Sequence, residues 1–303
     1  MFITILACLA CRKTDSGRVP RGVLPQKSSP FRTFSKLGKV GFTLPDFHFP
    51  YHLNSPINSW KLDHDLDEIS GLAWNDVGEL ACIQDERGDL FLYDFGEKHT
   101  KPALDFGKQG DYEGIAKVKG KYWVVRSDGQ LFSVKRKGKK KKFATFLAQI
   151  NDVEGLAYQQ AQNRLLLACK GLPGKAVHLR NHKAIYAFDL KSKRLLPQPV
   201  YTVNLDELKQ FLPPIAKKSR IEDPIFGPSG IAVHPLTGDI YLVAHAGKLL
   251  LVLSHSGKLQ YVERLAPQLF PQPEGICFSP QGHLFIANEG TNKRGRILHF
   301  EPF

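Results

Sequence analysis

Short apolar runs, separated by turn residues, recur along most of the chain. Runs such as Glu79–Gln84, Asp89–Phe95 and Arg164–Lys170 have the length of single β-strands and are bounded by Gly, Asp or Asn. Helical periodicity is scarce, and the clearest candidate helix is 206–212, which the following pair of prolines would end. The pattern therefore predicts an all-β fold.

One short phrase, a polar residue followed by Gly and two apolar residues, occurs five times. Its marker glycines are Gly71, Gly114, Gly155, Gly230 and Gly275. The first three are 43 and 41 residues apart, and the last two are 45 apart. Four short strands with their turns fill a period of this size, which is that of one β-propeller blade.

The interval from Gly155 to Gly230 is 75 residues, about one blade too long, yet it holds no sixth copy of the phrase. We assign the excess to an insertion within residues 171–227 and predict a five-bladed β-propeller. The last repeat reaches three strands and ends at Arg296–Phe300. A strand within Ile57–Leu66 is expected to complete this last blade and close the ring, which removes exposed sheet edges.

The residue before each marker glycine is polar, and in a propeller it lies on the strand that lines the central channel. These residues are Ser70, Glu113, Glu154, Ser229 and Glu274. Residues that end the second strand of each blade should reach the same face. They include Glu86, Arg126, Asp128, Lys170, His245, Asn288 and Glu289. We expect Arg126 to be the counter-ion of Glu113. Lys170 is the corresponding partner for Glu154.

The three carboxylates of this ring would repel one another by roughly 2 kcal/mol per pair at a separation of about 7 Å. The ring should therefore hold a proton, pair with basic neighbours, or bind a cation such as Ca²⁺, which accepts several oxygen ligands. In the last case Glu113, Glu154 and Glu274 are the ligands. A salt-bridged, water-filled channel mouth with no further role is the simpler alternative.

Residues 1–11 form an apolar run that contains Cys8 and Cys11. The run is shorter than the roughly 20 residues that span a bilayer, and it is typical of a signal peptide. Both cysteines follow apolar and small residues as in a bacterial lipobox, so Cys11 or Cys8 is the predicted lipidation site, although no Lys or Arg precedes the run. Residues 12–55 have the composition of a tether, and residues 56–303 are expected to form the propeller.

The net charge of +13 is concentrated in Lys135–Lys142, which carries seven positive charges in eight residues. Such a run either attracts an anionic surface or forms a solvated hairpin tip. No aromatic residues interleave it, so we expect no specific nucleic-acid binding.

Other chemistry-bearing residues show no motif. Cys82, Cys169 and Cys277 lie inside apolar runs and are expected to be buried as small hydrophobic residues. The histidines share no spacing and are interpreted as surface or strand residues; they include His178, His182, His234, His255 and His299. No nucleophile elbow, phosphate loop or HExxH segment occurs.

The repeated phrases resemble those of the SdiA-regulated domain family. The phrases are EISGLAW at 68–74, DVEGLAY at 152–158, PSGIAV at 228–233 and PEGICF at 273–278. The order Ser, Glu, Glu, Ser, Glu before the glycines also matches, over about residues 57–303. The resemblance implies a bacterial envelope propeller, often membrane-tethered, with no settled activity. It makes a divalent cation at Glu113, Glu154 and Glu274 plausible, whereas the insertion and the lysine run depart from the family.

Three functions are compatible with the sequence. The first is a lipid-anchored, non-catalytic module at the bacterial cell envelope, periplasmic or surface-facing, that binds a small ligand or an envelope partner. The alternative is a Ca²⁺-dependent hydrolase of a lactone or phosphoester, with His245 or Glu86 as general base. The third is an envelope scaffold that uses its basic hairpin.

Overall fold

The computed structural model describes residues 32–34, 41–76, 78–135, 138–174, 179–212, 226–290 and 293–303. Its strands form five antiparallel sheets in a ring, so the protein is a five-bladed β-propeller as predicted. Blade one comprises Ile69–Asp76, Glu79–Gln84, Asp89–Asp94 and His99–Asp105. Blade two comprises Tyr112–Val118, Lys121–Arg126, Leu131–Lys135 and Lys140–Phe143.

The remaining blades depart from the simple four-stranded form. Blade three comprises Val153–Gln159, Arg164–Cys169 and His182–Asp189, with Arg194–Leu195 and Tyr201–Asn204 both paired to its third strand. Blade four comprises Gly230–Val233, Ile240–Ala244, Leu249–Leu253 and Leu259–Arg264. Blade five comprises Pro273–Phe278, Leu284–Asn288, Arg296–Phe300 and, from the N-terminal side, Asn58–Lys61. The predicted closure of the ring is thus confirmed.

Helices are few and short in the described residues. Three single-turn 3₁₀ helices lie at His64–Leu66, Gln149–Asn151 and Gln160–Gln162. The α-helix Leu205–Phe211 follows the outer strand of blade three. Asn204 caps its N-terminus, since Asn204 Oδ1 accepts the N–H groups of Asp206 and Glu207 at 2.9 and 3.2 Å. No helix in this part of the chain is long and apolar enough to cross a membrane.

The hydrophobic core is divided among the interfaces between neighbouring blades. Strands alternate side chains between their two faces, so each sheet packs against the blade on either side. Buried cysteines contribute as expected: Cys82 and Cys277 pack between blades five and one, and Cys169 packs between blades two and three. Burial raises the pKa of all three thiols, which fits their role as small hydrophobic residues.

The N-terminal part of the propeller begins earlier than the sequence suggested. Gly41–Thr43 adds to the outer edge of blade four, and Arg32–Phe34 pairs with it in turn. Phe42 is buried and stacks on Phe211 with ring centroids 4.1 Å apart, and Tyr51 is also buried. Residues 41–55, which we had assigned to the tether, therefore belong to the folded domain. Apolar and aromatic side chains in this stretch are enough to dock it on an open sheet edge.

The lysine-rich run forms the outermost hairpin of blade two. Its second strand, Lys140–Phe143, has exposed lysines and pairs with Leu131–Lys135. This is the predicted solvated hairpin, and its charges oppose edge-to-edge pairing with another sheet.

Candidate functional site

The inner strands bring the residues before the marker glycines together around the axis. Ser70, Glu113, Glu154 and Glu274 line a central cavity of about 10 Å³, which is about the least that one water molecule needs. The glycines permit this convergence. A Cβ at Gly230 would lie 2.2 Å from the Glu274 carbonyl oxygen, and one at Gly114 would lie 2.6 Å from the Leu156 nitrogen.

The two serines of the ring act as clamps between blades. The Ser70 hydroxyl donates to the Tyr112 carbonyl of blade two at 2.6 Å. The Ser229 hydroxyl donates to the Pro273 carbonyl of blade five at 2.6 Å and accepts the His245 N–H at 3.1 Å. Both hydroxyls are therefore hydrogen-bonded to backbone groups, so the glutamates are the ring residues whose side chains can bind a ligand.

Glu154 has the counter-ion that the sequence predicted. Lys170 Nζ lies 2.7 Å from Glu154 Oε1, and the Glu154 residue is only 6% exposed. Burial nevertheless outweighs the lysine and raises the pKa of Glu154 to about 8. Even the best-paired member of the ring therefore binds a proton more tightly than an ordinary carboxyl group.

Glu113 has a carboxyl partner where we expected an arginine. Burial, the charge of Glu154 and a hydrogen bond to Asp111 raise the pKa of Glu113 to about 11. Burial opposes ionisation of Asp111 as well, but hydrogen bonds from Glu113, Ser127 and Gln149 lower its pKa. At neutral pH Glu113 is thus the protonated donor and Asp111 the carboxylate that accepts.

The predicted pairing of Arg126 with Glu113 is wrong. Arg126 Nε donates instead to Asp128 Oδ1 at 3.0 Å, two residues along the same chain segment. Asp128 is held further by the Gln130 N–H, at 3.0 Å. This tight turn at the end of the second strand gives the guanidinium a local carboxylate, so it does not turn toward the axis.

Glu274 lies beside a histidine at the end of blade four. His245 Nδ1 is 3.6 Å from Glu274 Oε1, and the two side chains are 43% and 11% exposed. The imidazole therefore lies between the cavity and solvent, as its place at the end of a second strand predicted.

Further acids surround the ring at the channel mouth. Burial and the charges of Glu274, Asp85 and Glu68 raise the pKa of Glu289 to about 7. Burial and Glu68, with smaller contributions from Glu86 and Asp111, raise the pKa of Asp85 to about 6. The channel mouth thus has too little positive charge to keep all of its acids ionised at neutral pH.

Two polar side chains near the mouth have atoms without hydrogen-bond partners in the described residues. Asn288 is 1% exposed, and neither its Oδ1 nor its Nδ2 is paired; Oδ1 of Asp85 is likewise buried and unpaired. The sheet register places Asn288 opposite Pro273, the neighbour of Glu274. Glu86, in contrast, is exposed to solvent. Buried amides without partners are rare and call for a ligand, water or ion.

Asp111 and Glu68 are the members of this site that the sequence reasoning missed. Each lies two residues before a ring residue, as Asp152 does before Glu154. Because an acid occurs two residues before the ring position in three of the five repeats, the repeat that revealed the ring could have revealed this second set of acids.

Comparison with solved structures shows which fold the chain shares. A luciferin-regenerating enzyme superposes with a TM-score of 0.51 at 11% identity, over 82% of this chain and 96% of that one. A streptogramin B lyase (10% identity, 80% of this chain, 97% of its own) and a putative gluconolactonase (13%, 79% and 77%) both give TM-scores of 0.49. The likeness to the first of these shows a shared fold. Identities this low carry no activity across.

No known protein family matches the sequence, and no curated protein does. The resemblance to the SdiA-regulated family therefore stays a prediction.

Proposed function

We propose that this protein is a non-catalytic binding module of the bacterial envelope whose acidic channel mouth binds a divalent cation. Through that cation it would hold an oxygen-rich small ligand or an envelope partner. The observation that carries the proposal is the convergence of Glu113, Glu154 and Glu274 on one small cavity. The raised pKa values of Glu113, Glu154 and Glu289 indicate that the site lacks positive charge.

The donor set suits Ca²⁺. This ion takes six to eight oxygen ligands, from carboxylates, amide carbonyls and water. Among the described residues, neither Glu113 nor Glu274 forms an ion pair with a lysine or arginine. The unpaired amide oxygen of Asn288 belongs to the neighbouring strand, where Asn288 pairs with Pro273, the residue before Glu274. A proton on Glu113 is what stabilises the ring without metal, and a cation would replace it.

The direct test is thermal unfolding of the purified full chain with and without Ca²⁺. We expect 1 mM Ca²⁺ to raise Tm by at least about 4 °C, if the dissociation constant is about 30 µM. The combined Glu113→Gln, Glu154→Gln and Glu274→Gln variant should lose this shift, whereas Glu97→Gln with Glu207→Gln, which removes two exposed carboxylates, should keep it. An equal shift in the triple variant would exclude these residues as the site.

The pH dependence of stability tests the same charge deficit. A carboxyl group whose pKa rises on folding stabilises the fold below its unfolded pKa, and this contribution is lost as the pH rises through the folded value. For Glu289 and Glu154 the loss extends from about pH 4.5 to about pH 7 and 8, respectively. With chelator present, the free energy of unfolding should therefore fall between pH 5 and 8. Ca²⁺ should reduce that fall. A rise over this range with chelator would contradict the account.

The envelope location is a separate part of the proposal, and it is supported by the lipobox-like sequence. Cys8 and Cys11 lie outside the described residues. Mass spectrometry of the membrane fraction should find a diacylglyceryl cysteine at one of the two positions. Loss of membrane association in Cys11→Ser or Cys8→Ser would identify which one; unmodified cysteines in a soluble protein would exclude the anchor.

A second candidate is the Ca²⁺-dependent hydrolase, which the contact of His245 with Glu274 favours. His245 would remove a proton from the water that attacks a lactone carbonyl or a phosphoester phosphorus. The ester C–O or P–O bond then breaks, and the leaving oxygen takes up the proton that His245 accepted. Its test is turnover of simple lactones and phosphoesters by wild type and His245→Gln, with and without chelator. Chelator-sensitive turnover that depends on His245 would favour this function over the binding module.

A further inference from the structure

A cluster of three metal-ligating side chains, here called the rim cluster, lies at the end of blade five opposite to the channel mouth. Phe278 pairs with Leu284, next to His283, whereas Pro273, next to Glu274, pairs with Asn288. His283 immediately precedes the strand Leu284–Asn288, and His299 and Glu301 lie at and just after the end of Arg296–Phe300. The register places His299 opposite Phe285, two residues after His283. Side chains two apart on a strand share a face, so the three groups project from the same side of the sheet.

The distances within the cluster suit a single metal ion. His283 Nδ1 lies 2.9 Å from His299 Nε2 and 3.8 Å from Glu301 Oε1, and the three ligand atoms lie within 4.8 Å of one another. Zn²⁺ bonded to imidazole nitrogen and carboxylate oxygen at about 2.0–2.2 Å holds ligand atoms roughly 3.3 Å apart in tetrahedral geometry. Rotation of the exposed Glu301 side chain is the main adjustment required.

The surroundings of His299 hold its ring in place. It stacks on Phe285 at 4.5 Å and on Trp60 at 5.6 Å between centroids, and its Nδ1 accepts from Asn58 Nδ2 at 3.3 Å. A half-turn of this amide brings Asn58 Oδ1 to the same place, where it accepts a proton from Nδ1 and leaves Nε2 free to bind metal. A second partner that fixes tautomer and orientation is typical of histidine ligands.

The position of Glu301 is also fixed by its neighbours. Phe300 is buried in the core on one side. On the other, the Phe303 N–H donates to the Pro50 carbonyl at 3.1 Å, and its ring stacks on His52 at 4.3 Å. The backbone that carries the carboxylate is therefore anchored at both ends, and only the side chain must order on binding.

The cluster is open to solvent. The His283 and Glu301 side chains are 33% and 53% exposed. The histidines also line a groove of about 270 Å³, together with Trp60, Trp74 and Phe95. A fourth coordination position would thus be accessible to water or to a nitrogen or oxygen donor.

We infer that His283, His299 and Glu301 form a binding site for a transition-metal ion of the Zn²⁺ class, with one open coordination position facing the aromatic groove. Two imidazoles and one carboxylate select Zn²⁺, Co²⁺ or Ni²⁺ over Ca²⁺, which prefers oxygen ligands. The site therefore differs in both place and metal preference from the acidic channel mouth.

The test is a titration of the purified full chain with Zn²⁺ by calorimetry, and with Co²⁺ by visible absorption, in buffer containing 1 mM Ca²⁺. Wild type should bind Zn²⁺ at this site with a dissociation constant below about 10 µM. His283→Gln and Glu301→Gln should each weaken binding by about tenfold or more, and Asn58→Ala, which removes no ligand, by about tenfold. Co²⁺ should give the more intense visible absorption of a four-coordinate ion, and His283→Gln should abolish it.

Two controls define the result. His64→Gln removes an exposed histidine that contacts a single carboxylate, Asp67, at 2.9 Å, and Glu113→Gln alters the channel mouth. Both variants should bind Zn²⁺ as the wild type does. The inference is overturned if the wild type shows no Zn²⁺ binding tighter than about 100 µM. It is equally overturned if His283→Gln and Glu301→Gln bind Zn²⁺ with wild-type affinity.

Discussion

Around the axis, the inner strands of all five blades meet at a crowded cavity, whereas in the rim cluster three polar residues of a single blade meet at a partly exposed end of the sheet. At the axis, backbones approach so closely that a methyl group does not fit, and charges lack solvent. At the rim, side chains are partly hydrated and free to adjust. We expect substitutions at the axis to affect folding and binding together, and substitutions at the rim to affect binding alone.

The largest expected effect is that of Gly230→Ala. The added Cβ would lie 2.2 Å from the Glu274 carbonyl oxygen, so blades four and five must move apart. We expect a loss of about 3 kcal/mol in the free energy of unfolding, measured by chemical denaturation. The control Gly96→Ala, in an exposed turn, should stay within about 0.5 kcal/mol. Equal stabilities for the two variants would show that the blades do not meet as tightly as described.

A smaller loss is expected for Lys170→Met, which leaves Glu154 buried without its counter-ion. Breaking a fully buried pair costs about 3–5 kcal/mol, and because the Lys170 side chain is 41% exposed we expect about 2 kcal/mol at roughly pH 10, where Glu154, with a pKa of about 8, is ionised in the wild type. Adding Glu154→Gln should restore more than half of it. Lys101→Met, which breaks the exposed pair with Glu97, should cost less than about 1 kcal/mol. A Lys170 variant as stable as this control would remove the distinction between axis and rim.

The smallest effect at the axis is expected for Ser229→Ala, at about 1–2 kcal/mol. The substitution leaves the Pro273 carbonyl and the His245 N–H without this partner. Ser256→Ala, which removes an exposed contact with Ser254, should be neutral within about 0.5 kcal/mol. At the rim, metal-free His283→Gln should be similarly neutral. Denaturation midpoints of the three variants would sharpen the comparison, and a destabilised His283 variant would contradict it.

The regular part of the fold could be predicted because its signal is repeated. The strands Glu79–Gln84 and Arg296–Phe300 have the bounds that the apolar runs indicated, and Asn58–Lys61 closes the last blade as expected. Each depends on local pattern plus a fixed period. The docking of Phe42 on Phe211 has neither, since it joins two non-repeated segments, and it was missed for that reason.

The positions of the site residues could be predicted from the sequence, but their ion pairs could be predicted only in part. The marker glycines located Glu113, Glu154 and Glu274, and the strand ends located Lys170 and His245. Which base pairs with which acid depends on side-chain rotamers and local turns, so Arg126 was assigned to the wrong carboxylate. The rim cluster depends on strand register between His283 and His299, which single positions in a sequence do not reveal.

The central claim is that the buried acids hold protons in the absence of metal and exchange them for Ca²⁺. Calorimetric titration of Ca²⁺ into the full chain at pH 7, in two buffers of different ionisation enthalpy, measures both the binding and the protons released. We predict one Ca²⁺ bound per chain at the channel mouth with release of about two protons, because Glu113 and Glu154 are both mostly protonated at this pH, and neither in the variant with glutamine at Glu113, Glu154 and Glu274. The absence of Ca²⁺ binding, or binding with no proton release, would contradict the account.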